Sequence, residues 1–181
     1  MSKCVVCGCT DDDCSGCVAR TGEPCWWFGP DLCSACAMAC RGLSLWQPWA
    51  SFVAAGEKTI ETRGYRTDYR GPILTCSAMT LDTGWRKVSS RPNAGLCDYA
   101  GAHVRGRALA VVNLVDCRPM EHRDQDGSMV RFDPRIQRYS WVFDPDKIIR
   151  VTPFPVIGRQ RMFTVNETIL RDGCAVNFNA W

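Results

Sequence analysis

The chain has 181 residues, 46% hydrophobic and 23% charged, enough for one ordinary domain with a small appendage and too apolar for wholesale disorder. There is no apolar stretch of 18 residues and no apolar leader segment at the N-terminus, which predicts a cytoplasmic protein with no spanning helix and no membrane partner. Residues 1–40 hold two basic and five acidic side chains (−3), whereas residues 41–181 hold 20 and 14 (+6), so the basic part suits an anionic partner such as RNA or DNA, or is simply a solvated surface.

The first 40 residues hold nine of the thirteen cysteines, and an odd total without a leader points to a reducing compartment and a thiolate metal site rather than a disulfide scaffold. Two CxxC turns, Cys4 with Cys7 and Cys33 with Cys36, supply the four sulfurs of a structural Zn2+ site. The 25 residues between Cys7 and Cys33 are expected to loop out. Within them Cys9, Cys14, Cys17 and Cys25 offer a second Zn2+ set. No histidine lies in this segment, so any site is all sulfur, and an iron–sulfur cluster is the rival. A redox pair lacks the βαβ context it needs. So short a piece cannot bury enough apolar surface alone, and metal binding would contribute most of its folding energy. A boundary at residues 40/41 is expected.

From Gly42 the texture changes. Residues 42–46 (GLSLW) alternate as a strand, and Pro48 opens a helix with Trp49, Phe52 and Val53 on one stripe and Gly56 as its stop. Strands follow at 59–62 and, after a Gly71-Pro72 turn, at 73–77. The most apolar run, 107–117, reads as the central strand, with two more at 139–143 and 148–152. Residues 118–138 are polar and aperiodic and read as a long loop of the kind that often carries function. Short strands with few helices predict an α+β fold with a small barrel or strongly bent sheet.

The stretch from Leu43 to Leu74 resembles the opening of an ASCH domain, in the PUA-like superfamily. The matching features are QPWA (Gln47 to Ala50), GxKxxExR (Gly56, Lys58, Glu61, Arg63) and the YRGP turn (Tyr69 to Pro72). ALAVVNLVDC and the closing PxPVxGxQxxF segment extend the resemblance over about residues 43–165. The resemblance implies a PUA-like small β-barrel with flanking helices, following the Cys-rich module, and a pocket for nucleic acid or a modified nucleotide. One bacterial branch of the family removes the acetyl group from N4-acetylcytidine, using a lysine and a threonine three residues later. Here Glu61 stands three residues after Lys58, neither Thr59 nor Thr62 fills the threonine position, and Cys76 replaces the histidine usual after the GP strand. The CGCT and DLCSxC strings of the head are similar to small modules of phage-encoded proteins, implying a bacterial cell or phage-infected host.

Three charged side chains in six residues of an apolar motif must pair if buried. Glu61 can bridge Lys58 and Arg63 and can also accept from a base while the cations hold phosphate or polarise a carbonyl, the two roles being compatible. Trp46 and Trp49 frame Gln47. One indole is expected in the core and the other as a stacking wall, with Gln47 reading a base edge. Arg66, Tyr69 and Arg70, with Tyr65, interleave cations and aromatics as a backbone-tracking rim. His103 and His122 read as surface residues. Three functions stand open: a nucleic-acid or modified-nucleotide binder; an amidohydrolase with Lys58 and Glu61 as acid–base partners, Thr59 beside them and water as nucleophile; and a protein that docks a partner protein through its zinc head.

Overall fold

The computed structural model describes residues 2–92 and 104–170; His103, Cys174 and the C-terminal tail lie outside them. In the head, α1 (Ser15–Thr21) is followed by a hairpin of β1 (Trp27–Gly29) and β2 (Leu32–Cys33), then α2 (Ser34–Met38). The expected loop between the CxxC turns thus contains a helix, which ends on Gly22 at φ 83°, a conformation glycine adopts without strain.

The body is one seven-stranded sheet in the order β4-β7-β6-β5-β3-β9, with β8 also pairing with β6. Its strands are β3 (Arg41–Gln47), β4 (Ile60–Arg63), β5 (Gly71–Leu81), β6 (Arg107–Pro119), β7 (Tyr139–Phe143), β8 (Ile149–Pro155) and β9 (Met162–Thr164). β6 is the centre, as its apolar run predicts. One edge pairs with β5. The other is divided, the first half to β8 (Val111 opposite Ile149) and the second to β7 (Leu114 opposite Phe143). A single strand serving two neighbours along one edge bends the sheet strongly, as the sequence reading of a strongly bent sheet expects.

Two buried clusters fill the two sides. α3 (Trp49–Ala55) lays Val53 and Ala54 against Leu43, Leu45, Leu109, Trp141 and Phe143. Pro48 caps its start and Gly56, at φ 81°, its end. On the other side the head covers the sheet directly. Phe28, Leu32 and Ala37 share one cluster with Leu74, Cys76, Val151 and Phe154, and the Asp31 carboxylate accepts from the Thr152 amide. Gly29 sits so close to Phe154 that a Cβ there would lie 2.4 Å from the ring.

Two expectations are corrected and one element is new. Gly71-Pro72 does not form a turn before a strand but begins β5, with Pro72 opposite Asn113, since proline is tolerated at a strand's first residues. The polar stretch 118–138 is not a plain loop: a single-turn helix at His122–Asp124 and α5 (Gln125–Ser128) fold back over β4. Between β5 and β6, α4 (Trp85–Val88) packs its indole on Phe52.

Candidate functional site

In the head the eight cysteines named above form one nest. The Sγ of Cys7 lies 3.7 Å from that of Cys33 and 3.8 Å from that of Cys17; Cys9 and Cys25 are 3.7 Å apart, Cys17 and Cys33 4.0 Å, Cys14 and Cys25 2.9 Å. Two groups of four have all their sulfurs within 4.8 Å of one another: Cys4, Cys7, Cys9 and Cys33, and Cys9, Cys17, Cys25 and Cys33. These groups differ from the sets that spacing alone defines. α1 folds Cys17 back onto the CxxC turns, so Cys9 enters the first group and Cys36 stands beside it. The arrangement can hold metal. His122 is exposed, against Phe132.

The second site lies where α3 hands over to β4. A cavity of about 330 Å³ is lined by Trp46, Trp49, Lys58, Glu61, Arg63 and Arg138, with Ser44, Thr62, Val88 and Val130 completing its wall. Lys58 is only 1% exposed. Its ammonium donates to the Ser128 carbonyl, sits 3.5 Å from the Glu61 carboxylate and lies 5.2 Å from the centre of the Trp49 ring. Burial pushes the Lys58 pKa below its ordinary value of 10.5, against the pull of Glu61. Glu61 also faces Arg63 Nε at 3.2 Å, an ion pair without hydrogen-bond alignment, while the Arg63 guanidinium donates to the Ser44 carbonyl. Lys58, Glu61 and Arg63 therefore form a partly buried triad with two cations on one anion. Trp49 is fixed by its N–H on Asp82 and by edge contacts to Trp85. Trp46 is 55% exposed and stands at the cavity mouth.

On the far side of Trp46 a groove of about 730 Å³ shares Ser44, Trp46 and Arg63 with the cavity and adds Tyr65, Arg159 and Arg161. Ser44 Oγ and Tyr65 Oη are buried there without a hydrogen-bond partner among the described residues.

Other singled-out residues lie elsewhere. Gln47 is fully buried: its amide donates to the Val104 carbonyl and its oxygen accepts from the Ser51 amide and hydroxyl, so its capacity to read a base is already used. Thr59 is absent from the cavity wall, its backbone bonded to Gly127 and Phe143. Arg66 pairs with Asp68, Arg70 with Asp116, and the Tyr69 hydroxyl donates to the Pro72 carbonyl, so this loop does not reach the cavity. Ser44, Val88, Val130 and Arg138 carry no signal in the sequence, because their elements meet only in three dimensions.

The sequence profile of the ASCH domain matches residues 43–152, more than half of the chain. The chain belongs to the ASCH domain family. Among solved structures it is similar to the ASCH protein of Zymomonas mobilis, at 10% identity and a TM-score of 0.46, covering 72% of this chain and 90% of that one. A tyrosine-to-phenylalanine variant of that protein gives 10% identity and 0.44, with 72% and 92% covered, and a serine-to-alanine variant 10% and 0.44, with 73% and 92% covered. No curated protein matches. Among the described residues no helix is long and apolar enough to cross a membrane.

In this ASCH chain the GxKxxExR motif builds the cavity floor: Gly56 ends α3, and Lys58, Glu61 and Arg63 follow onto β4. The closing segment builds the groove, with Gly158 so near Ser44 that a Cβ would lie 2.3 Å from its hydroxyl oxygen. Behind the cavity Asp124, 1% exposed, takes both guanidinium nitrogens of Arg118 at 2.7 Å and the Ser140 hydroxyl at 2.8 Å, fixing the turn that delivers the Ser128 carbonyl to Lys58. Burial works against the ionised Asp124, but these donors outweigh it and hold its carboxyl below its ordinary 3.8. Its stabilisation is therefore complete above pH 4 or so and lost as pH falls through the lower folded value. Asp124→Asn is expected to cost about 3 kcal/mol in urea unfolding at neutral pH, with a flatter stability profile in acid.

Proposed function

We propose that this ASCH chain binds single-stranded nucleic acid, holding one base, in modified form as the preferred ligand, in the Lys58–Glu61–Arg63 cavity. The reading divides the protein into a zinc-bearing head, residues 1–40, and the ASCH body, residues 41–181, in a reducing cytoplasm. The observation that carries it is the pair of buried hydroxyls, Ser44 and Tyr65, without a partner among the described residues, bordering a groove that shares Ser44, Trp46 and Arg63 with the cavity. A buried polar atom without a partner is costly, and a ligand that supplies its hydrogen bond offsets that cost. The base enters beneath Trp49, whose ring already carries the Lys58 ammonium over one face. Glu61 accepts from an exocyclic amino group, Trp46 stacks the neighbouring base, and Arg159 and Arg161 meet phosphates along the groove. A cavity of about 330 Å³ lies at the small end of ligand-binding volumes, which suits one base rather than a folded ligand.

Fluorescence anisotropy with labelled single-stranded RNA and DNA tests this. Binding is expected to weaken with salt, and Arg159→Ala/Arg161→Ala to lower the slope of log K against log salt by about 1.4. Trp46→Ala is expected to cost about 1–3 kcal/mol of binding at every sequence. A salt-insensitive interaction, or none, would sink the reading.

The depressed Lys58 pKa favours a second function for the same cavity. Burial beside Glu61 favours the neutral Lys58 amine, which can take a proton from water as general base, so hydrolysis of an N4-acylated cytidine by that water, releasing acetate and the free amine, is the enzymatic alternative. Release of acetate from N4-acetylcytidine, followed by mass spectrometry, distinguishes it from binding alone.

A further inference from the structure

The two groups of four sulfurs overlap. Cys9 and Cys33 belong to both. A tetrahedral ion with four thiolates at about 2.3 Å places its sulfurs about 3.8 Å apart along each edge. The contacts Cys7–Cys33, Cys9–Cys25, Cys7–Cys17 and Cys17–Cys33, between 3.7 and 4.0 Å, have that length. They also run without interruption from one group into the other, since Cys7 and Cys17 sit in different groups. Separate four-sulfur sites would show two sets of short contacts with a gap between them, and no gap exists here.

Charge favours the same answer. Two separate tetrathiolate zinc sites carry a net −4, whereas six thiolates around two zinc ions carry −2. Five of the eight cysteines are buried (Cys4, Cys9, Cys17, Cys33 and Cys36), and surplus negative charge there needs compensation. Arg20 supplies it, its guanidinium lying 3.6 Å from the Cys17 sulfur and 3.5 Å from that of Cys36. Cys36 and Cys14 stand outside both groups: Arg20 donates to Cys36, and Cys14 accepts from the Cys25 amide at 3.1 Å and lies 2.9 Å from the Cys25 sulfur, closer than two ligands of one tetrahedral ion stand.

We infer that the head holds a two-metal thiolate cluster in which Cys9 and Cys33 bridge two zinc ions, one completed by Cys4 and Cys7 and the other by Cys17 and Cys25. Cys14 and Cys36 form the outer ring and do not ligate. This rests on the reading of the head as a zinc site and adds its nuclearity and ligand sharing. Metal loading of one ion then prepares half the ligands of the next, so the head fills in a single step.

The test uses the full chain, purified with zinc sulfate under reducing conditions. Native mass spectrometry is expected to show two zinc ions per chain with no accumulated one-zinc form during titration with chelator. X-ray absorption at the zinc edge is expected to show sulfur-only coordination and a zinc–zinc scattering path. A Cys14→Ser/Cys36→Ser double variant is expected to retain both ions. Two ions without the zinc–zinc path, or loss of an ion in the double variant alongside absence of that path, would mean separate sites and overturn the sharing. One ion would overturn the cluster while leaving a structural zinc head intact. No metal, or iron with sulfide, would overturn both.

Discussion

Lys58→Met is expected to weaken binding of single-stranded nucleic acid by roughly 10- to 100-fold while leaving the melting temperature close to that of the wild type, an outcome that pairs one large effect with one small one. The ammonium is buried, and its removal takes away one charge-assisted donor to the ligand. Stability is spared because Glu61 keeps Arg63 at 3.2 Å and methionine fills nearly the same volume beneath Trp49. Glu61→Gln should lower stability as well as binding, since Glu61 both pairs the two cations and accepts from the base. It leaves Lys58, Arg63 and Arg138 facing one another without an anion, and removal of one partner from a buried pair costs about 3–5 kcal/mol. The pH dependence separates the two roles further. Because the folded pKa of Lys58 lies below 10.5, the unfolded chain binds more protons between the two values, and stability rises with pH across that window. Binding of an anion needs the protonated amine, so affinity falls across the same window. Denaturation and anisotropy measured together from pH 7 upward should show these opposite slopes, and Lys58→Met should remove both. Wild-type affinity in the variant would exclude Lys58 from the site. If the cavity hydrolyses N4-acetylcytidine, the same variant loses turnover.

Much of the body was legible because its signals are local. The apolar run of 107–117 reads as a central strand from composition, and Pro48 with Gly56 brackets a helix from the conformations those residues prefer. The triad was legible for a related reason: Lys58, Glu61 and Arg63 are close in sequence, and their charges had to be reconciled within an apolar motif. Residues whose surroundings depend on distant partners are less legible. Gln47 looks like a base reader beside two tryptophans, but Ser51 lies one helical turn on and the Val104 carbonyl arrives from far along the chain to occupy its amide. Arg66 and Arg70 find carboxylates nearby, which their spacing from aromatics does not reveal. Arg138 reaches the cavity only because β7 pairs with β4, and pairing register is invisible in a single sequence. The head shows the same limit. Cysteine spacing identifies CxxC turns but not which turn the helix α1 folds onto.

On the proposed zinc reading of the head, stripping the metal is expected to have the other large effect, and it should be felt well outside the head. Phe28 and Leu32 are 2% and 0% exposed, and they lie on Phe154 and Val151 of β8 and on Leu74 of β5 rather than on a core of their own. The hairpin that presents them is two short strands, too small to persist without the thiolate nest that anchors both ends. Once the nest opens, those two side chains leave the sheet, at about 1.5–3 kcal/mol each, and the sheet's own apolar face meets water. A loss of roughly 4 kcal/mol corresponds to a fall of about 8–16 °C in melting temperature for a chain of this size. Treatment with a strong chelator under reducing conditions, followed by calorimetry and thiol counting, checks this. The expected result is a lower melting temperature, increased binding of a hydrophobic dye, and simultaneous reactivity of the head cysteines. Cys76, fully buried beneath the head on β5, should become reactive in the same step although it ligates nothing. An unchanged melting temperature with every head thiol exposed would show that the sheet holds its shape without the head, and that the shared buried cluster adds little to the stability of the body.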